Sequence, residues 1–139
     1  MNSKKEKTFI NLFYIHGVVA YGRQRGRTVG MPTANLKTTE DISHIFPGVY
    51  AVTVEVRQKK YCGITHIGLR PSVDSDSDIT VETYIFDFDE DIYGVEISLT
   101  GHMYIRGTRE FKSLEEVKKQ VENDIRIARK YLSVLECEI

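Results

Sequence analysis

The sequence predicts a small, mostly antiparallel β-barrel closed by one C-terminal helix. Three observations point there. Between Phe13 and Ile105, six runs rich in β-branched and aromatic residues alternate with turn residues. After Ser113 the apolar spacing changes to steps of three and four, the period of a helix. The 139 residues are also the length of one domain, enough to bury a core without staples.

The elements follow in order. Residues 1–8 are charged and read as a loose tail ahead of a single domain that fills 1–139. The predicted strands are Phe13–Ala20, Met31–Leu36, Gly48–Val56, Tyr61–Gly68, Thr80–Phe88 and Val95–Ile105. Arg57-Gln58-Lys59-Lys60 is the hairpin turn between the third and fourth. Ser113-Leu114-Glu115-Glu116 is a capping box, with serine at the cap and glutamate three residues on. Leu114, Val117, Val121, Ile125, Ala128 and Leu132 then form one apolar stripe on a helix over 114–134. Lys, Glu, Gln and Arg fill its opposite face, so the helix covers a β core.

Charge and cysteine usage exclude several classes. A net charge of -1 argues against a nucleic-acid coat, which needs a basic excess. Charge is local instead. Arg23, Arg25 and Arg27 fall within five residues, whereas Asp74 to Asp91 holds eight carboxylates and no Lys or Arg. The first region therefore reads as an anion site. Cys62 and Cys137 have no metal-site spacing and are expected as reduced thiols of a cytoplasmic protein. The apolar run 9–20 is interrupted by Asn11, His16 and Gly17 and is shorter than the ~20 residues of a membrane span. No membrane partner is expected.

Three familiar templates fail. Gly17 to Arg23 has the glycine spacing of a phosphate loop, but Arg23 replaces lysine, Gln24 replaces the magnesium-binding hydroxyl, and no helix follows. Asp74-Ser75-Asp76-Ser77-Asp78 opens like a calcium loop, yet Ile79 and Ile85 occupy the required glycine and glutamate positions. His66-Ile67-Gly68-Leu69 lacks the second histidine of a nucleotidyl-transfer motif.

Gly26 to Leu36, GRTVGMPTANL, has almost no apolar bulk. In an extended segment Thr33 and Asn35 point to one face and Ala34 to the other. Their hydroxyl and amide oxygens are hard neutral donors of the kind magnesium accepts alongside water and phosphate. Gly22, Gly26 and Gly30 allow close backbone approach to a ligand, and the arginines supply charge for phosphate. A plain Gly/Pro turn entering a strand with surface Thr and Asn also accounts for this stretch. Further on, alternation sets Glu82 on one face with Tyr84, Phe86 and Phe88. A partly desolvated carboxylate there is a better proton acceptor. A rim glutamate on an edge strand is the other reading.

Taken in order, GRTVGMPTANL, Pro47-Gly-Val-Tyr, Ile67-Gly-Leu-Arg-Pro, Val81-Glu-Thr-Tyr-Ile-Phe-Asp-Phe, Asp91-Ile-Tyr-Gly and Phe111-Lys-Ser-Leu-Glu resemble the riboflavin kinase family over about residues 13–132. The pattern is similar to the kinase halves of bacterial bifunctional FAD synthetases, here without the adenylyltransferase half. The resemblance implies a six-stranded antiparallel riboflavin-kinase barrel with a C-terminal helix, and a cytoplasmic monomer transferring phosphate from ATP to riboflavin to give FMN and ADP. It implies Thr33 and Asn35 as ligands of magnesium or another divalent metal, and Glu82 as the base. Gly22 and Arg27 would follow the phosphates, Ile85, Asp87 and Tyr93 would lie near the adenine, and Arg106, Arg109 and Phe111 would contact the flavin. Two departures stand out: Gln24 replaces the usual glycine, and Arg106-Gly107-Thr108-Arg109 lacks an intervening acidic residue. The rival readings are a non-catalytic flavin-binding regulator of the same fold, an FMN-dependent oxidoreductase and an RNA-binding barrel.

Overall fold

The computed structural model describes residues 10–20, 32–71 and 77–135. Six strands run β1 (Phe13–Ala20), β2 (Ala34–Lys37), β3 (Gly48–Val56), β4 (Lys59–Pro71), β5 (Ser77–Ile85) and β6 (Glu96–Arg106), followed by helix α1 (Leu114–Leu132). They close a barrel in the order β1-β2-β5-β4-β3-β6, with every neighbouring pair antiparallel. The expected architecture is met. Closure leaves no unpaired sheet edge.

Strand alternation divides the apolar residues between two clusters. Inside the barrel lie Phe13, Ile15, Val19, Leu36, Tyr50, Val52, Val54, Ile67, Val81, Ile85, Ile97 and Leu99. Outside, Val49, Ala51, Ile64 and Phe86 pack under Ala128 and Leu132 of α1. Among the described residues, the barrel therefore has one dry outer flank, beneath the helix. Gly48 adopts φ +151°, and a Cβ there would lie 2.6 Å from the carbonyl oxygen of Arg106. A side chain at this position would push β3 off the end of β6.

The differences from the expected boundaries have local causes. Arg57 and Gln58 both take positive φ, 50° and 72°, so the hairpin turn has two residues and Lys59-Lys60 join β4. β5 stops at Ile85, not Phe88, because Asp87 turns at φ 56° and the amide of Phe86 donates to the carbonyl of Cys62 at 2.8 Å. Helix α1 ends at Leu132, short of 134, with Ser133 as its C-cap. Leu114 is 59% exposed, because the first turn overhangs the barrel, so the buried stripe begins at Val121. The expected N-cap is present: Ser113 accepts from the amide of Glu116 at 3.1 Å, and the Glu116 carboxylate takes the amide of Lys112 at 3.0 Å.

Cys62 is disulfide-bonded, contrary to the expectation of reduced thiols. The helix returns over the barrel and brings Leu135 into the cluster that contains Cys62. Cys137 lies outside the described residues. Among the described residues, no helix is long and apolar enough to cross a membrane.

Candidate functional site

Antiparallel pairing sets one residue of each strand opposite one of the next, and directly opposed side chains share a face. Followed across the barrel, one such row reads Ala20, Asn35, Glu82, His66, Val49 and Arg106. Three of the expected site residues, Asn35, Glu82 and Arg106, thus stand on a single row. Val49 belongs to the outer cluster under α1, so the row faces outward beside the helix. With strands about 4.8 Å apart, Glu82 and Arg106 stand three spacings apart, about 14 Å measured along the curved surface of the barrel. Val49, between them, is covered by α1, so the row is continuous in backbone register and not an open groove.

At the β2 end, Ala34 packs against the barrel interior while Asn35 is half-buried on the outer face. The predicted alternation holds there. Thr33, also half-buried, immediately precedes the strand. Asn35 lies directly opposite Glu82. Among the described residues, the Glu82 carboxylate has no hydrogen-bond or ion-pair partner and is half-buried. Tyr84 shares its face, and the Tyr84 and Phe86 rings are 5.7 Å apart. Phe88 does not join them. Beyond the Asp87 turn it packs on Tyr61 at 4.9 Å, against the interior cluster.

The residues expected at the adenine end separate. Ile85 is buried in the barrel interior, as its alternation from Glu82 requires. Asp87 is paired with Arg129 of α1 at 3.2 Å, and the same guanidinium lies 4.5 Å above the Phe86 ring. Tyr93 is exposed in a turn whose Gly94 amide donates to the carbonyl of Val19 at 2.8 Å. That turn therefore abuts the end of β1, where the chain enters the glycine-arginine segment. Gly22 and Arg27, with Gln24, lie outside the described residues.

At the other end of the row, a connector of residues 107–113 links β6 to α1. Arg106 grips the buried Asp124 through Nε, at 2.9 and 3.1 Å, and Nη2, at 2.9 Å. Gln120 also donates to Asp124, at 3.1 Å, and itself accepts from Arg109 at 2.8 Å. Phe111 is faced by both guanidinium groups, Arg109 at 4.8 Å and Arg106 at 5.7 Å. It belongs to neither apolar cluster.

Sequence reading passed over two residues of this site. Asp124 was hidden among the charged residues of an amphipathic helix. Its position three after Val121 and four before Ala128 was the available signal, since that places it on the buried stripe. His66 was considered only for a motif it lacks. Its place on the row, opposite Glu82, needed the strand register.

A family model described as Flavokinase: Riboflavin kinase matches residues 10–132. The chain belongs to the riboflavin kinase family. A bifunctional riboflavin kinase/FMN adenylyltransferase from Bacillus subtilis is 37% identical over 127 residues, covering 88% of this chain and 40% of the relative. This chain spans about half or less of the length of the curated relatives it matches. Among solved structures, a macrolide-efflux protein from Streptococcus pneumoniae is similar at TM-score 0.79 and 34% identity, over 84% of this chain and 38% of its own. Riboflavin kinase from Trypanosoma brucei shares the fold at TM-score 0.64 and 24% identity, over 91% and 83% of the two chains.

Proposed function

We propose that this chain is a riboflavin kinase, transferring the γ-phosphate of ATP to the 5'-hydroxyl of riboflavin to give FMN and ADP. The observation that carries this reading is the outward row Asn35–Glu82–His66–Val49–Arg106 in a chain of the riboflavin kinase family. In this row a neutral oxygen donor stands directly opposite a proton acceptor, and a flavin-side cation stands three strands further round the barrel.

In this reading Glu82 is the general base, taking the proton of the ribityl 5'-hydroxyl. Its carboxylate is half-buried beside Tyr84, with no competing cation among the described residues, so it is available to a hydroxyl. Loose phosphoryl-transfer transition states ask mainly for positioning and charge stabilisation, with modest help from a base. Gly22 and Arg27 are assigned to the phosphates, and Ile85, Asp87 and Tyr93 to the nucleotide end. Ile85 contributes through its backbone, since its side chain fills the barrel. Arg106, Arg109 and Phe111 are assigned to the flavin. Phe111 offers a half-exposed ring as a wall for a flat apolar ligand, and Asp124 fixes Arg106 beside it.

Thr33 and Asn35 are assigned to a divalent metal. The donors fit: a hydroxyl with an amide oxygen suits a hard cation that keeps phosphate and water ligands. Magnesium is the metal of this reading, and it supplies positive charge against the phosphates when bound. The reading takes the protein as a cytoplasmic monomer without nucleic-acid or membrane partners. The need for ATP supports the compartment, and the Cys62 disulfide counts against it.

Incubation of the purified protein with riboflavin, ATP and magnesium, followed by chromatography, should show FMN and equimolar ADP. Flavin that stays bound with no FMN formed under magnesium, manganese or zinc would replace the kinase by a flavin-binding regulator.

A further inference from the structure

Between the base-bearing strand and the connector, one residue touches both. His66 lies directly opposite Glu82 on β4, and its Nε2 is 2.9 Å from Oγ1 of Thr108 in the connector. Its ring is accommodated by Gly68: a Cβ there would approach His66 Cε1 to 3.0 Å and the Thr80 hydroxyl to 3.0 Å. The other side-chain anchors of the segment, Arg106 to Asp124 and Arg109 to Gln120, lead to α1. The His66–Thr108 bond leads to the strand row.

We propose that His66 is a positioning residue for the acceptor substrate: through Thr108 it ties the flavin-contacting connector to the strand row that bears Glu82. The proposal rests on the kinase reading above, because it assigns the connector to riboflavin. The chemistry is direct. Arg109 and Phe111 sit one and three residues beyond Thr108, so a connector free to lift from β4 would carry the ring wall away from the row. With the bond made, wall and base keep a fixed separation. A ligand spanning both then loses less freedom on binding.

Four variants in the full chain test this: His66→Ala, Thr108→Val, their double, and Thr108→Ser. Riboflavin affinity is read by quenching of flavin fluorescence, which needs no turnover. Steady-state kinetics, thermal unfolding and hydrogen exchange of the amides of 107–112 complete the set. Each of the first two variants should weaken riboflavin binding about 3- to 10-fold, the worth of one hydrogen bond. KM for riboflavin should rise in step, with KM for ATP and Tm unchanged and faster exchange confined to the connector. The double variant should be no worse than the singles, as expected for two ends of one bond. Thr108→Ser should behave as wild type.

Unchanged riboflavin affinity in Thr108→Val overturns the proposal, as do additive effects in the double variant. A fall in Tm accompanied by equal rises in both KM values also overturns it, showing a purely structural role. If the wild-type protein binds riboflavin and forms FMN while the variants match it, this proposal alone fails. If the wild type neither binds riboflavin nor forms FMN, the kinase reading fails and takes this proposal with it.

Discussion

The two halves of the candidate site are built by different means. Asn35 and Glu82 project from paired strands, where the backbone ladder of a closed barrel sets their separation. Arg109 and Phe111 project from a connector without a ladder, held by side-chain bonds to Asp124, Gln120 and His66. Backbone pairing survives almost any side-chain change, whereas a connector held by side chains can be released one contact at a time. The contrast suits the proposed phosphoryl transfer. The reacting groups need fixed geometry, while a large acceptor must enter and leave past a segment that can open.

If the contrast is right, changes in the strand half alter turnover without loosening the fold, and changes in the connector half alter acceptor binding or helix docking. The largest effect is expected at Glu82. Glu82→Gln should lower kcat by ~10²–10⁴ while both substrates still bind and Tm holds. Turnover within a few-fold of wild type would reduce Glu82 to a positioning role.

Asp124→Ala is the sharpest probe of the other half. It leaves the Arg106 guanidinium without its buried partner, and breaking such a pair costs about 3–5 kcal/mol. Thermal unfolding should fall by on the order of 10 °C or more. A shift of only a degree or two would mean that the connector is held elsewhere. Next in size is Phe111→Ala, expected to raise KM for riboflavin about tenfold, a loss of ~1.4 kcal/mol of wall contact, with little change in Tm. A large drop in Tm at unchanged KM would return Phe111 to a role in packing.

In the strand half, Thr33→Ala and Asn35→Ala should shift the dependence of rate on magnesium to higher concentration, leaving fluorescence-detected riboflavin binding intact. Wild-type metal dependence in both variants would remove them from the metal site.

The smallest effect tests a region outside both halves. A polar groove of about 310 Å³ on β1, β6, β3 and the start of β4 contains Tyr14, Glu55, Lys60 and Thr100. His102 lies at its base and hydrogen-bonds Thr53 at 2.9 Å. Burial, and secondarily the charge of Lys60, pushes its imidazole below the ordinary 6.5. The unfolded chain therefore binds more protons there than the folded one. The stabilising contribution is complete above pH ~6.5 and is lost as pH falls through the folded-state value. His102→Gln should flatten the fall in Tm between neutral pH and pH ~5 while leaving FMN formation alone. An unchanged pH profile would assign that fall to other groups.

By itself the sequence determined the fold class, the six strands and the capped helix, because alternation, turn residues and the Ser113 cap are local signals. It also set Ala34 and Asn35 on opposite faces, since period-two geometry needs no partner strand. The placement of Glu82 beside Tyr84 was legible on the same ground. The assignment of Phe88 to that face failed because a single positive φ at Asp87 ended the strand, and no local propensity announced it. Tertiary structure alone decided the row. That Asn35, Glu82, His66 and Arg106 align depends on strand register, which is set by closure of the barrel across pairs far apart in sequence. It alone also turned Asp124 from a surface carboxylate into the anchor of Arg106. A charge on an amphipathic helix is buried or exposed according to what the helix lies on, and here that is the end of β6.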